Sequence, residues 1–278
     1  MLNFSCTGCG NCCKSLLSIS ISESLRFYHQ IAFSAVVEVF QLPEDSAEKI
    51  VKENENFIVR RINGNAVLFH FYIIGVPGPN GCYQLASDNK CNIYSDRPAV
   101  CRTYPLIVAP GNAKHSASSV LKNAITEKEN NSDVSLLDRC DGFDESTEPL
   151  FNTDGSIMDE SVNDIFNTQI EENAISKHWE EAFVDNIFVG MDKSKISNDH
   201  KKTDCYTFSI ADFLTVIDEM MGGGNFPLED IKQKQSEIAH SLLEEFEQLL
   251  VTPPQYVDTH KMLKESLRKS IDTAIKLN

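Results

Sequence analysis

Four cysteines lie close together at the start of the chain, in the segment FSCTGCGNCCKS: Cys6, Cys9, Cys12 and Cys13. A C-x2-C spacing lets the backbone curl so that two sulfur atoms face one metal ion. Gly8 and Gly10 can adopt the dihedral angles that a tight curl needs. The spacing therefore predicts that the first three cysteines converge on one metal centre. Neighbouring side chains diverge in extended or turn backbone, so Cys13 is expected to serve another centre or to stay free.

A second group of cysteines follows before residue 110. Together the two groups offer seven candidate metal ligands: Cys6, Cys9, Cys12, Cys13, Cys82, Cys91 and Cys101. Eight sulfurs would fill two four-cysteine centres, so seven leave a position for water, another residue or a substrate. Cys140 is a possible eighth ligand, and Cys205 is expected to be a lone buried thiol. Three basic residues lie close in sequence and can offset the thiolate charge: Lys14, Arg97 and Arg102.

The kind of sulfur site is narrowed by spacing. A bacterial ferredoxin motif would need a further cysteine where Leu16 stands, and a thioredoxin-like pair would need a strand before it. Ligation by thiolates alone suits both zinc and an iron–sulfur cluster. The absence of histidine from both groups favours the cluster slightly. Free redox thiols and disulfides are the weaker alternatives.

Charge is distributed unevenly along the chain, whose formal net charge is −16. Residues 1–120 carry 10 basic and 9 acidic side chains, and residues 121–278 carry 15 and 32. Phosphate binding needs a basic surface, so a nucleic-acid role is disfavoured. The acidic half is expected to be a solvated surface or to dock a basic protein partner.

Targeting signals are not expected in this sequence. No secretory signal pattern opens the chain, and the most apolar segment, Val67–Val76, is too short to span a bilayer. We therefore expect a cytoplasmic protein with no membrane association. Thiols stay reduced in that compartment, which favours metal binding over disulfides.

The elements that would position the cysteines can be predicted from periodicity and turn signals. Leu17–Ile21 alternates like a strand and Ser22 is a candidate cap for a following helix. Residues 32–56 look helical with a break near Pro43. Two β-rich segments, 57–62 and 66–74, flank Asn63-Gly64, which predicts a β-hairpin. Residues 111–160 are expected to be an irregular linker, and amphipathic helices are predicted from about Val162 onward.

These elements predict an α+β protein. Its parts would be a small metal-stapled cysteine-cluster module with a β-hairpin over residues 1–110, a linker over 111–160, and a mainly helical acidic region over 161–278.

The cysteine motifs resemble those of the bacterial CxxCxxCC (YkgJ-type) family, whose members are described as zinc- or iron-chelating. Its hallmarks are F-x-C-x-x-C-G-x-C-C, matched by Phe4–Cys13, and C-x-I-Y-x-x-R-P-x-x-C-R-x-Y-P, matched by Cys91–Pro105. The non-sulfur members of the second motif are Tyr94, Arg97, Pro98, Arg102, Tyr104 and Pro105. The resemblance implies the same seven cysteine ligands.

Three functions follow from the resemblance and the composition. The first is a protein that holds an iron–sulfur cluster (4Fe-4S) or zinc for a redox, metal-handling or structural role. The second is a SAM-dependent protein lysine N-methyltransferase, because the family includes flagellin lysine N-methylases associated with a cluster. The third is a zinc-stabilised protein-interaction module.

Overall fold

The computed structural model of this 278-residue chain describes residues 7–8, 10, 12–14, 17–53, 57–104, 158–196, 204–248 and 257–275. Within these residues the strands are β1 (Leu17–Ile19), β2 (Phe33–Pro43), β3 (Phe57–Ile62), β4 (Asn65–Gly75) and β5 (Asp204–Ser209). The helices are α1 (Ile21–Phe27), α2 (Glu44–Glu53), α3 (Ala99–Thr103), α4 (Glu160–Gly190), α5 (Ile210–Met220), α6 (Leu228–Glu247) and α7 (Val257–Ile275). Helices and an antiparallel sheet together confirm the α+β class.

All five strands belong to one antiparallel sheet with the order β1-β4-β2-β5, and β3 also pairs with β4. Gly75 at the end of β4 lies opposite Leu17 on one side and Phe33 on the other. Strand β3 pairs with the first half of β4, with Phe57 opposite His70. Because β1 and β4 run antiparallel, the residues that precede β1 and those that follow β4 leave the sheet at the same end.

The β3–β4 hairpin predicted from Asn63-Gly64 is confirmed. Asn63 has φ 49° and Gly64 has φ 80°, so both turn residues occupy the left-handed region. A type I′ turn requires this, and its twist matches that of the flanking strands.

The predicted helix over residues 32–56 is wrong in its first part, because Phe33–Pro43 forms β2. This strand pairs along both edges and is covered on both faces, so apolar residues occupy eight of its eleven positions and regular alternation is lost. The expected helix after Pro43 is confirmed as α2. The sequence pattern also does not predict strand β5, which lies in the region expected to be mainly helical.

Helices cover both faces of the sheet. Phe33, Ala35 and Val37 of β2 belong to the core beneath α4 and α5. On that side the rings of Phe71, Phe183 and Phe213 lie with centroids 4.8–5.8 Å apart. On the opposite face Val36 packs with α6 and α7. The acidic half therefore supplies both outer layers of the core.

Two further expectations can be compared with the fold. Of the helices in the described residues, none is both long and apolar enough to cross a membrane. The predicted linker, residues 111–160, lies outside the described residues except for its last three.

The side chain of Gln235 forms hydrogen bonds that link α6 to the turn between α1 and β2. Its side chain is 1% exposed. The Oε1 atom accepts a hydrogen bond from Phe33 N–H at 2.7 Å, while Nε2 donates to Tyr28 C=O at 2.6 Å and Ile31 C=O at 2.8 Å. One side chain thus satisfies three backbone groups in the interior.

We expect Gln235→Leu to lower the free energy of unfolding by about 2–4 kcal/mol, because it leaves buried backbone groups without partners. Urea denaturation measures this. Gln233→Leu on the exposed side of the same helix is the control and should change stability by about 0.5 kcal/mol or less. Equal denaturation midpoints for the two variants would contradict the role assigned to Gln235.

Glu180 lies on the inner side of α4, between the buried residues Ser176 and Val184. Burial raises the pKa of its carboxyl group to about 8, Lys177 opposes the rise and Glu181 adds to it. The folded protein therefore keeps this carboxyl group protonated at neutral pH.

This pKa predicts how stability depends on pH. Below the ordinary value of 4.5 both folded and unfolded states hold the proton. As pH rises from there through about 8, only the folded state keeps it, so Glu180 makes the protein progressively less stable. Glu180→Gln should therefore match the wild type near about pH 4 and exceed it by a few kcal/mol near about pH 9. Parallel curves of unfolding free energy against pH would exclude this.

Candidate metal centre

The sheet brings the two cysteine motifs to one place. The opening motif leads into β1 and the second motif begins after β4, so both leave the sheet at the same end. The backbone N–H of Cys82 donates to the carbonyl of Cys13 at 2.6 Å. This hydrogen bond joins the opening motif to the loop that leads into the second motif.

The opening loop has the tight curl that its glycines predict. Gly8 has φ 69° and Gly10 has φ 74°. Cys13 N–H donates to Gly10 C=O at 3.1 Å, which starts a 3₁₀ turn over Cys12–Lys14. A Cβ atom on Gly10 would lie 3.2 Å from both the carbonyl oxygen of Asn89 and Cδ1 of Leu85. Gly10 is therefore needed for its dihedral angle and for close packing against the loop between Cys82 and Cys91.

The loop that carries Cys82 and Cys91 is held by its own backbone. Leu85 N–H donates to Cys82 C=O at 2.9 Å, and Asn92 N–H donates to Gln84 C=O at 2.8 Å. The Gln84 side chain donates to Gln30 C=O at 2.6 Å, which ties the loop to the turn before β2. These bonds fix the two cysteines relative to the sheet.

Cys101 lies on the short helix α3, which is held from two other helices. Glu23 of α1 accepts a hydrogen bond from Ala99 N–H at the start of α3. At the other end, Thr103 Oγ1 donates to the side chain of Gln169 on α4 at 3.3 Å. The acidic half of the chain thus contacts the helix that carries a predicted ligand.

Five of the predicted ligands lie in the described residues and come together: Cys12, Cys13, Cys82, Cys91 and Cys101, here called the cysteine group. Burial raises the pKa of the Cys101 thiol, and Cys82, Cys12 and Cys91 raise it further. Burial also raises the pKa of Cys82, with further increases from Cys91 and Cys12, while a hydrogen bond from Gln84 N–H lowers it. Thiols from both motifs are therefore close enough to affect each other's ionisation.

The thiols of Cys12 and Cys13 affect each other. Interaction with the Cys13 thiol is the largest cause that raises the pKa of Cys12, followed by burial. The positive charge of Arg97 lowers it, as expected for a basic residue near the group. The role expected for Cys13, in another centre or as a free thiol, stays a prediction.

The cysteine group is an incomplete ligand set in the described residues. No three His, Cys, Asp or Glu side chains in this part of the chain are arranged to hold one ion together. Cys6, Cys9, Cys140 and the motif residue Pro105 lie outside the described residues. The metal-ligand role of all seven cysteines stays a prediction.

The donor set nevertheless fits zinc or an iron–sulfur cluster. All of its donor atoms are sulfur, and both zinc and iron–sulfur clusters can be bound by cysteine thiolates alone. Burial, and after it the neighbouring cysteines, raise the pKa of Cys82 and Cys101, so ionising these thiols without a cation is unfavourable. A bound cation reverses this penalty, since it favours the ionised thiol.

Two non-sulfur members of the second motif, Tyr94 and Arg97, contact each other. The guanidinium of Arg97 lies 4.1 Å from the ring centroid of Tyr94, which is 50% exposed. Such stacking holds Arg97 near Cys12. Asp96 forms an ion pair with Arg26 of α1.

Cys205 differs from its expected state. It is exposed on β5, and its sulfur lies 3.9 Å from that of Met262. The sheet order puts β5 at the opposite edge from β1. Cys205 is therefore separate from the cysteine group, as predicted, but it is not buried.

The sequence gives no indication of Glu23. An acidic residue in the first turn of a helix is ordinary, because it interacts favourably with the helix dipole. Only the tertiary structure brings it to Ala99.

A comparison with protein families matches residues 5–141 to the CxxCxxCC family, described as a "putative zinc- or iron-chelating domain". No curated protein and no solved structure is significantly similar to the chain. The resemblance found in the two motifs is thus confirmed over about the first half of the sequence.

Gly10→Ala should weaken the hydrogen bond from Cys82 N–H to Cys13 C=O more than Gly8→Ala does. Both glycines have positive φ, and alanine there costs about 1 kcal/mol or slightly more. Only at Gly10 would the new Cβ press on Asn89 and Leu85, since none of the described residues lies within 4 Å of one at Gly8. Hydrogen exchange at the Cys82 amide, which bonds to Cys13, measures the effect. Equal acceleration in both variants would show that the close packing is unimportant.

Proposed function

Because residues 5–141 match the CxxCxxCC family, we propose that this protein binds zinc or an iron–sulfur cluster through cysteine thiolates. The observation that carries the proposal is the hydrogen bond from Cys82 N–H to Cys13 C=O, which joins the opening motif to the loop that leads into the second motif. The ligands would be drawn from Cys6, Cys9, Cys12, Cys13, Cys82, Cys91 and Cys101. Arg97 and Arg102 would offset part of the negative charge of the thiolates.

An iron–sulfur cluster is the preferred centre. Support comes from the absence of histidine in both motifs and from the all-sulfur donor set. A cluster would supply one-electron chemistry, whereas zinc would act as a structural cross-link. The chain's own contribution is to hold the sulfurs on two loops and α3 at one end of the sheet, partly shielded from water.

Metal analysis of anaerobically purified protein, together with its visible spectrum, tests this proposal. A cluster is expected to give brown protein that contains iron and sulfide. Colourless protein with stoichiometric zinc would instead support a structural zinc site. Protein that contains neither after reconstitution with either would refute the proposal.

Cysteine variants test the ligand assignment in the same assay. Cys9→Ser and Cys101→Ser should each lower metal affinity by about tenfold or more, because each removes a ligand from a different motif. Cys205→Ser is the matched control, since Cys205 lies at the other edge of the sheet, and it should keep wild-type metal content. Full metal content in both ligand variants would exclude a shared site.

The methyltransferase and the interaction module stay predictions. Each depends on a ligand, SAM or a basic protein partner, that the described residues do not identify. Cytoplasmic location also stays a prediction, and it agrees with the need for reduced thiols.

A further inference from the structure

A buried carboxylate lies next to the cysteine group. Glu23 of α1 is 6% exposed. Its Oε1 atom accepts the hydrogen bond from Ala99 N–H, and its Oε2 atom is buried with no hydrogen-bond partner among the described residues. An ionised carboxylate in such surroundings costs several kcal/mol unless charges and hydrogen bonds compensate it. Because of this cost, we expect Glu23 to have a specific role in addition to packing in the core.

The bonded oxygen of Glu23 supplies what α3 lacks locally. Pro98 precedes the helix and makes no side-chain capping bond. The first free N–H, that of Ala99, is satisfied instead by Glu23 from a different helix. Cys101 N–H bonds to Pro98 C=O in the same turn, so the position of this cysteine depends on how the turn is held.

Burial raises the pKa of the Glu23 carboxyl group, and the charge of Glu172 on α4 adds to the rise. The hydrogen bond from Ala99 N–H and the positive charges of Arg102 and Arg26 lower it. The hydrogen bond to Ala99 is therefore the largest favourable interaction of this carboxyl group, and it is the one that contacts α3.

We propose that Glu23 is a positioning residue of the metal centre, which fixes Cys101 through its hydrogen bond with Ala99 N–H. The inference rests on the proposed function, and Glu23 is not itself assigned as a ligand. If positioning is the role, the reach of the side chain matters and its charge does not. Two substitutions separate these properties: one keeps the length of the side chain, and the other keeps its charge.

Glu23→Gln keeps the length and the carbonyl acceptor but removes the charge. Glu23→Asp keeps the charge but is one methylene shorter and cannot reach Ala99 without movement of the backbone. Metal-loaded Glu23→Gln should retain metal against a competing chelator within about threefold of wild type. Glu23→Asp should bind about ten- to a hundredfold more weakly, the usual effect of losing a group that orients a ligand.

Alkylation of loaded protein by iodoacetamide, mapped by mass spectrometry, gives a second readout. Cys101 should react faster in Glu23→Asp than in wild type, while Cys205 serves as the internal reference because it lies outside the group. A general loss of stability would change other sites equally. Glu237→Gln and Glu237→Asp are the control variants, since Glu237 is exposed on α6 and pairs with Lys234, and both should stay within about threefold of wild type.

The outcomes are distinct. Wild-type metal retention and Cys101 protection in Glu23→Asp would overturn the inference, as would equal losses in Glu23→Gln and Glu23→Asp. If Glu23→Asp does not fold by circular dichroism, Glu23→Gln still decides, because loss of metal from that folded variant contradicts positioning. A wild-type protein that takes up neither zinc nor iron would refute the proposed function itself, before any variant is compared.

Discussion

The hydrogen bond between Cys82 N–H and Cys13 C=O is the contact on which the candidate site depends. Two cysteine motifs far apart in sequence can share a site only if their loops leave the fold at the same end. Antiparallel pairing of β1 with β4 provides this, because Leu17 and Gly75 lie opposite each other. Gly10 then allows the loops to approach to van der Waals contact. A short strand of three residues thus determines where Cys12 and Cys13 lie.

The acidic half of the chain takes part in the scaffold of the site. Strand β5 pairs with β2, and α4 to α7 supply the layers on both faces of the sheet. Helix α4 also reaches α3 through Gln169 and Thr103. The distribution of charge along the sequence therefore does not mark a division in the core. Acidic side chains such as Glu244 occupy the exposed sides of these helices, which is the solvated surface that composition predicts.

Local sequence signals predicted the parts of the structure that local interactions determine. The Asn63-Gly64 turn, the glycines of the opening loop and the amphipathic helices were all predicted from spacing and conformational preference. Strand β2 was not, because a strand buried on both faces has no polar alternation and is hard to distinguish from a buried helix. The bond from Ala99 to Glu23 depends on tertiary packing. It cannot be derived from the spacing of residues along the chain.

The central position of β2 has a consequence for the order of folding. One of its edges pairs with β4, which is close in sequence, whereas the other pairs with β5, which follows more than 150 residues later. During synthesis this edge stays unpaired until the ribosome has passed Ser209, and an open apolar edge invites association with other chains. Closure of the sheet is therefore a late event with a large loop-closure entropy. A nascent chain that acquired its metal before that point would do so on an unfinished scaffold.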